Sequence, residues 1–161
     1  MPLVGIIAKR REIQAIKKEI KNKNIEIIEI TKESIKNLRH IGFEKIIFLQ
    51  NINLEEDEYK YMKEIISNTK YLIINGDVEI EILKYIKIEK PIKLITFGFN
   101  SKSTITISSV KDEKIIVCFQ RDIEKTNGEI LERQEKEIIS KGNKNIYNNL
   151  VVFIIKELHN R

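Results

Sequence analysis

Five short apolar runs, each followed by a segment with a different spacing, constrain this chain more than any other feature. They are "LVGIIA" (3–8), "IEIIEI" (25–30), "KIIFLQ" (45–50), "YLIIN" (71–75) and "IKLITFGF" (92–99). The first is almost wholly apolar, as expected of a strand covered on both faces. In "REIQAIKKEIKNK" (11–23), Ile13, Ile16 and Ile20 recur with charge between them, which predicts an amphipathic helix. "TKESIKNLRHIG" (31–42) predicts a second helix, with Thr31 as N-cap and Gly42 as stop. "EEDEYKYMKEIISNTK" (55–70) predicts a third, with acidic residues where the helix dipole favours them. "DVEIEILKYIKI" (77–88) predicts a fourth, capped by Asp77, and its alternation "VEIEIL" also fits a strand. Strands alternating with helices imply right-handed crossovers and a mainly parallel sheet.

The character changes after residue 99. "STITISSVKDE" (103–113), "KIIVCFQRD" (114–122) and "EILERQEKEII" (129–139) are β-rich or alternate with period two. Asn127-Gly128 has strand-like sequence on both sides, so it predicts a hairpin. "NIYNNLVVFIIKELHNR" (145–161) predicts a closing helix. Its stripe of Ile146, Leu150, Ile154 and Leu158 is widened by Tyr147, Val151 and Ile155. A helix apolar over so much of its surface is either deeply buried or packed on a partner, which would be a copy of itself or another protein. The expected fold is α/β: a mainly parallel sheet flanked by helices, with an antiparallel β section near the C-terminal end. One domain is expected, with a parallel part over 1–99, an antiparallel section over 100–142 and a closing helix over 143–161.

Composition narrows the function classes. A chain of 161 residues can bury one core, and its charged fraction of 33% is that of a globular protein. The formal charge of +5 favours anionic partners. The lysines are mixed with glutamates, however, and no basic block is interleaved with aromatics, so nucleic acid is not the expected partner. Cys118 is the only cysteine and is read as a small buried apolar residue. With only His40 and His159, no metal site is expected. "MPLVGIIAKRR" lacks the charge order of a signal peptide and no run reaches transmembrane length, so a cytoplasmic protein without membrane contact is expected.

Three places could carry chemistry. Asn75-Gly76 reads as a hairpin only if a strand follows. If a helix follows, Asn75 and Asp77 stand at the carboxyl end of a parallel strand, where α/β folds bind ligands. The connection after the first strand, "AKRRE", places Lys9, Arg10 and Arg11 before a helix. They are candidates for attracting an anion, against the plainer reading of solvated surface charge. The loop has no glycine with which to wrap a triphosphate. "NLEEDEY" (53–59) is acidic enough to hold magnesium, and equally fits an acidic helix start. In "GNKNIYNNL" (142–150), Asn145 is read as an N-cap. Asn148 and Asn149 lie mid-helix, available for side-chain hydrogen bonding or simply tolerated there.

Several of these segments, in this order, resemble the central domain of the Mur ligases, the ATP-dependent amino-acid-adding enzymes of peptidoglycan synthesis. "YLIINGD" resembles their strand ending in Asn-x-Asp-Asp. "LITFGF" is similar to the strand that follows it, and "GNKNIYNNL" to their "G-x-H-N-x-x-N-x-L" element. "FLQNINLEEDEY" resembles their "hTNI-x-x-DH" segment more faintly. The resemblance spans roughly residues 45–158. It implies that Asn75, Asn145 and Asn148 lie near a bound adenine, with Asp77 as the first Asp of Asn-x-Asp-Asp. ATP and magnesium enter by this resemblance alone. The departures concern catalysis. "GIIAKRRE" stands where the family has its "GTNGKT" phosphate loop, Val78 replaces the second Asp, and Lys144 replaces the His. Phosphoryl transfer depends on that loop, its lysine and magnesium. The expectation is a non-catalytic relative with a binding or regulatory role linked to cell-wall synthesis. It has no assigned catalytic residue or metal ligand, and takes a nucleotide or UDP-linked ligand. The alternatives are an interaction or oligomerisation subunit using the C-terminal helix, and a residual nucleotide-binding enzyme.

Overall fold

The structure, a computed structural model, describes residues 1–21, 23–140 and 145–159. The chain divides into two compact units, Met1–Ile95 and Thr96–Arg161.

The first unit runs β1 (Leu3–Ile7), α1 (Arg10–Ile20), β2 (Glu26–Glu29), α2 (Ile35–Leu38), β3 (Lys45–Phe48), α3 (Tyr59–Ser67) and β4 (Tyr71–Asn75). Strand β1 lies between β2 and β3, parallel to both, and β3 pairs parallel with β4. Alternation along the strands sends Ile7, Ile46, Phe48 and Leu72 into one core with Ile30, Ile35, Phe43, Met62, Ile65 and Ile66. The helix spacing read from the sequence buries Ile13, Ile16 and Ile20 of α1. Gly5 belongs to this packing. A Cβ on it would stand 2.4 Å from Ile30 Cδ1 and 3.2 Å from Phe43 Cδ1. That glycine serves the strand interior and not a ligand.

Strand β5 (Lys93–Gly98) crosses the boundary between the units. After it come β6 (Ile105–Lys111), β7 (Lys114–Phe119), β8 (Ile123–Glu124), β9 (Ile130–Leu131), β10 (Gln134–Ile139) and α4 (Ile146–Leu158). The hydrogen-bonded order is β10-β7-β6-β5-β4-β3-β1-β2, a mixed, mainly parallel sheet whose antiparallel part comes from the C-terminal third of the chain. β5 and β6 pair parallel over only Phe97↔Ile105 and Gly98↔Thr106. The short connection leaves little room for a longer parallel register. Thr96 and Thr104 extend the junction with side chains: Thr104 N donates to Thr96 Oγ1 at 2.9 Å, and Thr96 N to Thr104 Oγ1 at 3.3 Å.

The predicted hairpin at Asn127-Gly128 forms. Ile123 pairs with Leu131 and Glu124 with Ile130, and Gly128 has φ +87°. Asn127 Oδ1 accepts from Glu129 N at 2.9 Å and fixes the turn. The closing helix also forms. Leu150, Val151, Ile154, Ile155 and Leu158 are all buried within the chain, Phe153 packs on Phe119 with centroids 5.8 Å apart, and Lys156 alone is exposed. Of the two readings of its wide apolar surface, burial in its own chain accounts for the pattern.

Three expectations are corrected. The segment 31–42 gives only one regular turn, Ile35–Leu38. Its N-cap is Ser34 and not the expected Thr31, which stands in the turn before it: Thr31 Oγ1 accepts from Ser34 N at 3.2 Å, while Ser34 Oγ accepts from Thr31 N at 2.9 Å. The segment 77–88 is not a helix capped by Asp77 but holds only a 3-10 turn, Glu81–Lys84. Ile80 and Ile82 both enter the core, and residues two apart face the same way only in extended chain. Accordingly Ile80 is extended, with φ −105° and ψ 93°. Cys118 is half-buried, on the face of β7 opposite Val117 and Phe119.

Candidate functional site

The carboxyl ends of β3 and β4 are held together by one buried side chain. Asn75, 2% exposed, donates from Nδ2 to the carbonyl of Leu49 at 3.1 Å and accepts at Oδ1 from Asp77 N at 3.0 Å. The peptide after β4 therefore closes as an Asx turn, with Val78 N reaching Asn75 O at 3.4 Å. Gly76 needs no positive φ here. Asn75 is thus a fastener between two strand ends, with its oxygen already engaged, and Asp77 sits exposed beyond it.

Beside this fastener lies a cavity of about 300 Å³, lined by Asn51, Ile52, Asn53 and Leu54 after β3, Tyr59 at the start of α3, and Glu81 and Ile82. Asn51 organises it. Its Oδ1 accepts from Glu81 N at 2.9 Å, and its Nδ2 donates to Asn53 Oδ1 at 3.3 Å. Ile52 and Ile82 anchor the floor in the core, which leaves the intervening polar groups facing outward. Tyr59 stacks on Tyr85 with centroids 5.5 Å apart and an interplanar angle of 6°. The 3-10 turn before α3 is closed by Glu58, whose Oε1 accepts from Glu55 N at 2.8 Å. The acidic stretch 55–58 therefore starts a helix, as one of its two readings held, and among the described residues no group of three His, Cys, Asp or Glu is placed to hold a metal ion.

The connection after β1 is built differently. Only Ala8 and Lys9 separate β1 from α1. The carbonyl of Lys9 accepts from Glu12 N at 2.9 Å and Ile13 N at 3.1 Å, and Lys9 N donates to Glu12 Oε1 at 3.1 Å. A carboxylate already occupies the helix start that would attract an anion. Lys9, Arg10 and Arg11 are exposed around it.

The remaining candidates lie in the second unit, apart in sequence and unit from Asn75 and Asp77. Asn145 caps α4, its Oδ1 accepting from Asn148 N at 3.1 Å. Asn148 is 4% exposed, and its Oδ1 has no hydrogen-bond partner among the described residues. Residues 142–144 of the matched element, including Lys144, lie outside the described residues. The cavity residues Asn51, Tyr59 and Glu81 did not stand out in the sequence as a site. The available signal was "NIN" directly after a buried strand, a polar-apolar-polar step at a carboxyl end. No protein-family model and no curated protein matches the chain.

Proposed function

We propose that this chain is a non-catalytic binding domain, arranged in the manner of a Mur ligase central domain, that takes a small ligand where β3 and β4 end. The carrying observation is the cavity lined by Asn51, Asn53, Tyr59 and Glu81, which opens beyond strand carboxyl ends, the side of the sheet on which open α/β folds bind ligands. The lack of phosphoryl transfer is supported by the β1–α1 connection. Two residues cannot wrap a triphosphate, and Glu12 holds the helix start. A regulatory role connected with the cell wall rests on the sequence resemblance. ATP turnover and ligand-dependent thermal shift, measured on the same preparation, test the proposal. The expected result is no turnover and a rise in melting temperature with a small ligand. ATP turnover abolished by Asn75→Ala would overturn it in favour of a surviving enzyme.

A further inference from the structure

We infer that the free side of β2 is a docking edge for an acidic peptide, which adds to the sheet as one more strand. This site is separate from the cavity after β3 and does not depend on it.

Strand β2 stands at the end of the hydrogen-bonded order, and among the described residues β1 is the one strand that pairs with it. Glu26 N donates to Pro2 O at 3.0 Å, and Ile30 N to Ile6 O at 2.9 Å. A parallel strand bonds one neighbour through alternate residues. Glu26, Ile28 and Ile30 therefore face β1, and the N–H and C=O of Ile27 and Glu29 point the other way. Among the described residues no backbone group pairs with these outward groups. They can take a further strand, whose main-chain hydrogen bonds supply affinity and whose alternate side chains supply specificity.

The side chains beside this edge are basic. Arg10, Arg11, Gln14, Lys17, Lys18 and Lys21 fall within an arc of about 120° on α1 and its C-cap, at about 3.6 residues per turn. All are exposed, and among the described residues none of these bases forms an ion pair. Lys17 and Lys21 stand at the edge itself. With Ile20, Ile25, Glu26 and Ile27 they line a cavity of about 250 Å³. Ile28 and Ile30 pack with α2 and α3, so alternation puts Ile25 and Ile27 on the side of α1 and turns the Glu26 side chain away from it. Glu29, half-buried, is the one acid of β2 on the α1 side.

This combination selects the occupant. A second copy adding antiparallel across a two-fold axis would set the two basic helices side by side, lysines against lysines. A basic strand would meet the same repulsion. An acidic strand brings carboxylates to Lys17 and Lys21, and the cavity between them accepts one of its side chains. At the other end of the sheet order the lysines are already engaged, Lys136 with Glu157 at 2.9 Å and Lys114 with Glu137 at 3.9 Å.

Fluorescence anisotropy of the full chain with a short labelled peptide that alternates glutamate and threonine tests this. The peptide should bind, more weakly at higher salt. Lys17→Glu combined with Lys21→Glu should weaken it about tenfold by reversing two exposed contacts. Both side chains are exposed, so the double variant should keep the parent melting temperature. Two analogues, N-methylated at the glutamates or at the threonines, read the backbone. Each lacks the donors of one strand edge, so one should bind like the parent peptide and the other about tenfold more weakly. Equal binding by both analogues would make the peptide a loose counterion, and binding unchanged in the double variant would remove the lysines from the site. Either result, or no peptide binding at all, would overturn the inference. A dimer that excludes the peptide would give the edge to a second copy, and tighter binding of single-stranded RNA than of the peptide would give the basic face to nucleic acid; each would also overturn it.

Discussion

At the amino ends of β3, β4 and β5, Lys45, Tyr71 and Lys93 form a layered arrangement. Lys45 Nζ lies 5.5 Å from the Tyr71 ring centroid and Lys93 Nζ 5.3 Å from it. Lys45 and Tyr71 are each 1% exposed, and Lys45 is bonded to Glu44. At the carboxyl ends of β3 and β4, acidic and amide groups surround an opening, with only Asn75 buried among the polar side chains there. One end buries its charge against an aromatic ring, and the other leaves its charge in reach of solvent. A sealed charge can shape stability, but only the open end can meet a ligand. Lys45, whose pKa burial lowers, therefore lies at the sealed end and outside the candidate site.

The largest expected effect breaks the open end. Asn75→Leu leaves the Leu49 carbonyl and the Asp77 N–H without their partner, and should lower unfolding free energy by about 2 kcal/mol in urea titration. A loss below about 0.5 kcal/mol would show that this side chain does not fasten the two strands.

The sealed end responds to pH instead. Burial lowers the Lys45 pKa below the usual 10.5, against the opposing pull of Glu44. Between its folded-state value and 10.5 the unfolded chain binds more protons than the folded one, so Lys45 makes stability rise with pH across that window. Below the window the burial penalty is present in full. Lys45→Met should remove this rise, so the parent gains on the variant as pH increases toward 10.5. Parallel pH dependence of the two proteins would contradict the sealed reading.

The smallest effects come from two copies of one dipeptide. Gly128→Ala should cost about 1 kcal/mol, because φ is +87° in the hairpin. Gly76→Ala should change stability by less than about 0.5 kcal/mol, because the Asx turn after β4 asks for no left-handed residue. Equal losses at both glycines would mean that the turn at the open edge is built like the hairpin.

These paired glycines also show what the sequence carried. Asn127-Gly128 stood between two strand patterns, and the local rule was sufficient. Asn75-Gly76 was read as a strand end because a helix was expected after it. The strand end is right, but the helix is absent. Ile80 and Ile82 are drawn into the core of α3 and β4, and that tertiary demand overrode the local pattern. The five apolar runs were legible because strand alternation is a property of neighbours in sequence. The cavity was not, because Asn51 and Glu81 meet across thirty residues through one hydrogen bond of 2.9 Å. The cap at Asn145 was legible for the same local reason as the strands, since its partner lies three residues away.

Amide chemical-shift mapping, with a panel of small metabolites and with ATP–magnesium in parallel titrations, tests most directly whether the open edge is the working end. The expected result is saturable shifts with a panel member at residues 51–54 and 81–82, and no saturable shifts with ATP at residues 8–12. Saturable ATP shifts at residues 8–12, with residues 51–54 and 81–82 unmoved by any compound, would contradict it.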